Sequence, residues 1–384
     1  MSLSSKTRSN TRSNTRSNAR VLAVAGSMAS AIILSACGGG SATTGSTTVT
    51  SPPVVTSNNG STTSTTSGSS GNTGTATTYT AAINAAKNAA NTDALCAHDV
   101  TGDFYWEIGD ANSSTPIASG STGAASVDAQ SHFNIASASK WIFGAYAVEK
   151  KGIDKVRSDA SLADGLRFMS GYTGMNDDGC VGKTTVAACF NGGMNGKTSE
   201  PDPNTVGKFN YDSGHDQKLA AVDLGLGNFT AAQIDTEYQN TIGLSRGFNM
   251  AALDPLMAGG EFASASDYAQ FLRKIMRREL VIGSYLGDNA VCALPSACPG
   301  KVGYSPITIL NEPWTYSYNH WVESQYGKGS IDAYSSPGKW GFYPWISADK
   351  KYYGIVSRHD KDLGAYAVSV KCGRQIRKAF MAAL

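Results

Sequence analysis

Phe133-Asn-Ile-Ala-Ser137-Ala-Ser-Lys140-Trp-Ile-Phe-Gly-Ala-Tyr-Ala-Val-Glu-Lys-Lys-Gly152 is the stretch on which the reading of this chain turns. Ser137 stands where a helix would begin, Gly152 where it would end, and the residues between are strongly apolar. Positions i and i+3 share a helical face, so Ser137 and Lys140 can meet. A serine hydroxyl is a poor nucleophile until something takes its proton. A lysine buried near the positive end of a helix has its ammonium form disfavoured and can act as that base. The same spacing also describes a serine cap beside a lysine whose stem lies along the surface.

Ser-x-x-Lys recurs at Ser336/Lys339 and Ser347/Lys350. Pro337-Gly338 interrupts the first of these and makes a helical turn there unfavourable. The second falls in the turn Ser347-Ala-Asp-Lys-Lys351, which places its lysine in solvent. Ser137/Lys140 alone leads into an apolar helix.

Around this stretch the pattern is mixed. Tyr79 to Ala97 is Ala-rich with helical spacing. Asp103-Phe-Tyr-Trp-Glu-Ile108 reads as a strand, and Gly109-Asp110 turns it toward a second strand near Pro116 to Ser119. Residues 155 to 280 alternate helical patterns with Gly-, Asn-, Asp- and Pro-rich loops, and Asp267 to Leu280 is amphipathic. Tyr343 to Ile346 and Tyr352 to Ser357 form a hairpin, and a last helix runs from about Gly373 to Leu384. Strands at both ends with helices between predict an α+β fold: one antiparallel sheet built from both chain ends and flanked by helices, beside a mostly helical lobe over about 155–280.

The beginning of the chain reads as an export signal. Three Thr-Arg-Ser-Asn copies and Arg20 precede a short apolar run ending in Leu34-Ser35-Ala36-Cys37. That ending resembles the lipobox of bacterial lipoproteins, which implies a signal peptide over 1–36 and lipidation of Cys37. Gly38, rather than Asp, follows the cysteine; by the same resemblance the anchor is in the outer membrane where the host has one. Removing 1–36 takes away Lys6, Arg8, Arg12, Arg16 and Arg20, so the formal charge changes from +2 to −3. The remaining chain lacks the clustered Lys and Arg that nucleic-acid binding needs. Residues 37–78, rich in Ser, Thr and Gly, have little to bury and read as a disordered spacer before a domain over 79–384.

Of the seven cysteines, Cys37 belongs to the anchor and six remain. An even number in an exported chain favours disulfides, of which fifteen pairings are possible. Close spacing suggests Cys180 with Cys189 and Cys292 with Cys298, leaving Cys96 and Cys372 to join the domain's two ends. No zinc pattern or paired-histidine arrangement occurs, and no metal or cofactor is expected. A Gly-x-Ser-x-Gly elbow is absent, and Gly225-Leu-Gly227 lacks the third glycine of a dinucleotide site.

Phe133-x-Ile-Ala-Ser137-x-Ser-Lys140 resembles the nucleophile motif of the serine β-lactamase and penicillin-binding-protein superfamily, in particular its class C β-lactamase-related esterases and amidases. Three further segments match in order. Leu166-Arg-Phe-Met-Ser170-Gly171 looks like the family's Leu-Leu-Thr-x-x-Ser-Gly. Ala258-Gly-Gly-Glu-Phe-Ala-Ser264-Ala-Ser-Asp267-Tyr-Ala-Gln-Phe271 looks like Ala-Gly-Gly-Leu-x-Ser-Thr-x-x-Asp-x-Ala-x-Phe, and Tyr318-Asn-His-Trp321 looks like Tyr-Gly-x-Gly-Trp. The likeness spans about 95–380.

The resemblance implies a β-lactamase-like fold and an acyl-enzyme mechanism. Ser137 is then the nucleophile and Lys140 its base. Phe209-Asn-Tyr211-Asp-Ser213 stands at the family's Tyr-x-Asn place, with Tyr211 as proton relay and Ser213 replacing the Asn. His215, without a partner at defined spacing, reads as a loop residue. At the family's Lys-Thr-Gly place stand Ser335-Ser336-Pro337, then Gly338, Lys339 and Trp340. The backbone N–H groups of Ser137 and Gly338 are expected to form the oxyanion hole, and Ser335, Ser336, Lys339 and Trp340 to border the substrate. Loss of the lysine disfavours β-lactam hydrolysis and favours a small ester or linear amide, as in aminohexanoate-oligomer hydrolases. A β-lactamase or D-amino-acid peptidase of the same superfamily, and a catalytically silent envelope binding protein with this fold, remain the alternatives. The domain is expected to be monomeric. Aromatics crowd the last part, from Trp314 to Trp345, chiefly as core and strand residues.

Overall fold

Strand-forming residues from the two ends of the domain meet in one eight-stranded sheet. The computed structural model describes residues 73–123, 127–324, 330–362 and 364–384, all within the unit Ser69–Leu384. The signal segment 1–36, Cys37 and residues 37–72 of the spacer lie outside the described residues.

The strands are β1 (Phe104–Asp110), β2 (Ala118–Thr122), β3 (Val291–Cys292), β4 (Thr315–Ser317), β5 (His320–Ser324), β6 (Ile331–Ser335), β7 (Tyr343–Ser347) and β8 (Tyr352–Ser357). Their order is β2-β1-β8-β7-β6-β5-β4-β3, with every neighbouring pair antiparallel. The closure between the chain ends is β1 on β8, in register from Tyr105 opposite Ser357 to Asp110 opposite Tyr352.

Alternation along the strands explains the layers. Phe104, Trp106 and Ile108 of β1 join Trp345, Val356, Ile376 and Phe380 in one core cluster, while Tyr105 joins Ile346, Ile355 and the serine helix in another. Successive side chains point to opposite faces of a strand, so one sheet serves two cores. One face is covered by the helices Thr73–Thr92 and Ala365–Ala382, which pack on each other. The other receives the helix Ser139–Lys151, buried from Ser139 through Val148, and the helix Ala265–Met276. Each wholly buried large apolar side chain adds about 1.5–3 kcal/mol. Six helices of the expected lobe lie between 153 and 276, from Ile153–Ser158 to Ala265–Met276.

The boundaries differ from expectation where propensity and packing disagree. The first helix starts at Thr73, ahead of the composition change. The amphipathic helix begins two residues early because Ser264 caps it reciprocally with Asp267. The last helix begins at Ala365 rather than near Gly373. Its first turns include Tyr366, Val368, Ser369 and Val370, weak helix formers held by packing. The turn lysine Lys350 is half-buried rather than solvated, donating to the Gly283 carbonyl at 3.2 Å.

Three disulfides join Cys96 to Cys372, Cys180 to Cys189 and Cys292 to Cys298, the expected pairs. They mark the domain as one made for an oxidising compartment, as exported chains are. Among the described residues no helix is long and apolar enough to cross a membrane. Beside Cys372 the last helix is held to β5 by charge. Arg377 donates to the Glu323 carboxylate at 2.9 Å and Arg374 at 3.2 Å, and Tyr343 donates at 2.7 Å. Burial would raise Glu323, but the two guanidiniums outweigh it and hold the carboxyl at about 2.

Glu323→Gln should cost about 3–5 kcal/mol, because it leaves the buried guanidinium of Arg377 without its anion, whereas Arg374 keeps Glu312 at 2.7 Å. The depressed carboxyl supplies stability above its ordinary value of 4.5 and loses it as pH falls toward 2. Urea unfolding between pH 7 and pH 3 should therefore show wild type and variant converging with acid.

Candidate active site

The serine turn is set by its neighbours before any chemistry is considered. Ala136–Ala138 forms a single 3₁₀ turn ahead of the helix Ser139–Lys151, with no side-chain cap. Ser137 is therefore not the cap of its helix. The Asn134 side chain accepts from the Ala136 amide at 2.8 Å, Ile135 donates to the Glu261 carbonyl at 3.0 Å, and Tyr268 donates to the Ala138 carbonyl at 2.8 Å. The short strands Phe133–Asn134 and Glu261–Ala263 pair alongside. The Ala258–Phe271 segment thus grips the serine turn from two sides.

Lys140 is 3% exposed. Its ammonium donates to Ser137 Oγ at 3.1 Å and to the Ala258 carbonyl at 2.8 Å, and sits 5.0 Å from the centre of the Tyr211 ring. The tyrosine is clamped by aromatics: it stacks on Trp321 at 5.3 Å and meets Phe168 and Tyr316. Ser137, Lys140, Tyr211 and Ser213 all line one cleft of about 700 Å³. That is the size of a small-molecule site. No group of His, Cys, Asp and Glu able to hold a metal occurs among the described residues.

The third-motif residues separate into two sets. Lys339 and Trp340 line the cleft with Pro337, the ammonium of Lys339 lying 4.7 Å over the Trp340 ring. Ser335 and Ser336 do not line it. Ser335 is wholly buried at the end of β6, and Ser336 donates its hydroxyl to the Ser137 carbonyl at 3.0 Å. Ser336 therefore braces the serine turn instead of touching substrate. The expectation for Gly338 needs correction too: its N–H donates to the Phe342 carbonyl at 2.7 Å, closing a tight turn, and is occupied. A Cβ at Gly338 would run into the Ile135 carbonyl oxygen, so glycine is what lets this strand end approach the serine turn.

His215 is likewise not a loop residue. It lies wholly buried on the helix Gly214–Lys218, hydrogen-bonded to Ser170 Oγ at 2.6 Å and to the Asn210 carbonyl at 2.9 Å, and stacked on Phe168. Burial depresses it to about 3, so it is neutral. It ties the Leu166–Gly171 segment to the strand residue preceding Tyr211. Among the described aromatics of that stretch only Trp321 and Trp340 line the cleft, and the rest are buried.

Sequence reading missed the acidic wall. Among the described residues Asp177, Asp178, Asp212 and Asp254 line the cleft against two cations, Lys140 and Lys339. Asp212 is fixed by the amides of Gly174, Met175 and Gly214. Asp254 is pushed up to about 6 by burial and by the charges of Asp177 and Asp178. Tyr304, Ile309 and Tyr366 also line the cleft. These residues lie on separate segments whose meeting depends on the tertiary fold, and nothing local signals it.

No family model matches this chain, and no curated protein matches its sequence. Solved structures are similar in fold. A hydrolase with promiscuous acyltransferase activity, EstCE1, aligns with a TM-score of 0.53 at 12% identity, over 79% of this chain and 99% of its own. A β-lactamase/D-alanine carboxypeptidase from Yersinia pestis, complexed with citrate, aligns with a TM-score of 0.54 at 11% identity, over 78% and 98%. The fold is thus the β-lactamase-like one, an antiparallel sheet flanked by helices.

Gly338→Ala should lower stability by roughly 1–3 kcal/mol through overpacking against Ile135. Denaturant unfolding checks this; a variant as stable as wild type would mean that the two segments do not approach so closely.

Proposed function

We propose that the domain is a serine hydrolase that cleaves an ester or linear amide through an acyl-enzyme on Ser137. The observation that carries this reading is the buried lysine ammonium 3.1 Å from the hydroxyl of Ser137 at the floor of an open cleft. In its neutral amine form Lys140 takes the hydroxyl proton as Ser137 Oγ bonds to the substrate carbonyl carbon. Tyr211, held over Lys140, relays that proton to the departing alcohol or amine. Water then attacks the acyl-serine and releases the acid.

The developing oxyanion meets the amide of Ser137, which has no acceptor within the protein among the described residues. Gly338 adds its own N–H only by releasing Phe342. The likeness in fold to a hydrolase and to a β-lactamase/D-alanine carboxypeptidase fits this chemistry.

Charge favours ester or linear amide over β-lactam. A β-lactam brings a carboxylate, and this cleft meets it with four aspartates and, apart from Lys140, one lysine lying over Trp340. Toward the N-terminus, the reading of 1–36 as a signal and Cys37 as a lipid-bearing residue makes this an exported, membrane-tethered protein, and the domain is proposed to act as a monomer on small-molecule substrates.

Short-chain p-nitrophenyl esters should be hydrolysed by the purified domain, with at least about a 10³-fold loss in Ser137→Ala and Lys140→Met. Neutral esters should exceed succinyl-type anionic esters and nitrocefin in kcat/KM. Wild type and Ser137→Ala equally inert, with Ser137 unlabelled by a fluorophosphonate, would instead mark a silent binding protein. For the anchor, Cys37→Ser should move the full-length protein from the membrane fraction to the soluble one when the cells are fractionated.

A further inference from the structure

Asp216 is a buried charge that the acyl-enzyme scheme leaves unused. It sits on the helix Gly214–Lys218, directly after the Tyr211-Asp212-Ser213 segment, and is 0% exposed. One carboxylate oxygen accepts from the Asn319 amide at 2.7 Å; the other has no hydrogen-bond partner. A buried carboxylate left half-satisfied is costly.

Its partner is unusual in turn. Asn319 occupies the left-handed region at φ 61, where glycine would be at ease. Glycine, however, has no amide to offer. Asn319 also touches the serine helix: a Cβ on Gly144 would come within 2.6 Å of the Asn319 Cβ. Gly144 is four residues past Lys140 and shares its helical face. Asp216, Asn319 and the lysine-bearing face therefore form one buried stack. Within it the Lys140 ammonium has oxygen partners at Ser137 and Ala258 and makes no salt bridge among the described residues. A buried cation and a buried anion thus belong to one stack with no ion pair between them, in surroundings where charges act over longer distances than in water.

We propose that Asp216, held by Asn319, is a positioning residue for the Ser137–Lys140 pair that sets the pH at which Lys140 becomes free to accept the serine proton. The proposal rests on the catalytic reading of that pair. An ionised Asp216 favours the ammonium form of Lys140; removing its charge releases the base at lower pH. Burial pushes Asp216 up to about 7, against the pull of Lys140 and the Asn319 hydrogen bond, so its charge changes near neutrality.

The other groups around it do not compete. Burial keeps His215 neutral, at about 3. Burial also raises Tyr238, Tyr316 and Glu261 well above their ordinary values, which keeps them uncharged. Lys218, on the same helix, is paired with Asp223 at 2.8 Å.

The test is the pH dependence of kcat/KM for a neutral p-nitrophenyl ester in wild type, Asp216→Asn and Asn319→Gly, with folding checked by thermal melting. In Asp216→Asn the acid limb should move down by about one unit or more, the size expected on removing a neighbouring charge. In Asn319→Gly, which keeps the left-handed turn but removes the amide, it should move the same way by less. A purely structural role would change the melting temperature or the plateau rate and leave the limb in place. Should Asp216→Asn not fold, Asn319→Gly decides alone. An active wild type whose folded variants keep its limb, or shift it upward, overturns the role of Asp216 and leaves the catalytic pair standing. A wild type inert toward esters and unlabelled by fluorophosphonate overturns both.

Discussion

Lys140 carries an ammonium into an interior nearly closed to water, and most of the local architecture exists to make that tolerable. Burying a charge without hydrogen bonds is among the most costly things a fold can do. Two oxygens meet it, one from Ser137 on its own chain segment and one from Ala258, more than a hundred residues later. For the Ala258 carbonyl to arrive there, the 258–271 segment must dock on the serine turn. The Ile135–Glu261 and Tyr268–Ala138 hydrogen bonds fix that docking. The serine, the lysine and the cleft floor are consequences of one contact between distant pieces of chain.

The sheet supplies the rigid reference for this contact. β7 and β8 carry apolar residues on both faces, so one face anchors the last helix through Trp345 and Val356 while the other supports the serine helix through Ile346 and Ile355. The turn in which Gly338 and Phe342 pair joins β6 to β7, with Ser336 bracing the carbonyl of Ser137. Strain at one side of the sheet is therefore felt at Ser137 on the other. A close-packed interior transmits such displacement instead of absorbing it.

How much of this was legible follows from the range of the forces involved. The hairpin Tyr343 to Ser357 and the strand Phe104 to Asp110 show alternation and turn residues within a few positions of each other, and both fall close to where they were expected. The three disulfide pairs followed from spacing and compartment. Ser137 with Lys140 was readable as a pair, since the spacing is local. What spacing cannot say is which oxygens the lysine meets, and Ala258 had no assigned role. His215 looked solitary because Ser170 and Phe168, its partners, lie some forty-five residues away. Gly338 stood at the right place for an oxyanion donor, but the direction of its N–H is settled by a turn of four residues that composition does not specify. The acidic wall gathers Asp177, Asp178, Asp212 and Asp254 from three separate segments, and no window of sequence contains it.

The pairing of β1 with β8 has a consequence in time as well as in space. β1 lies near the start of the domain, and the strand that completes its sheet is made some 240 residues later, shortly before the chain ends. Until then β1 has only β2 beside it, and an isolated hairpin is marginal in water. The bond from Cys96 to Cys372, which spans 276 residues, likewise waits for the last helix. Folding of this kind is dominated by distant contacts and is intrinsically slow. A chain threaded through a membrane from its N-terminus would thus keep its first strands unpaired until almost all of it had crossed. The topology postpones folding until delivery is nearly complete, and a chain that must travel unfolded is suited by that delay.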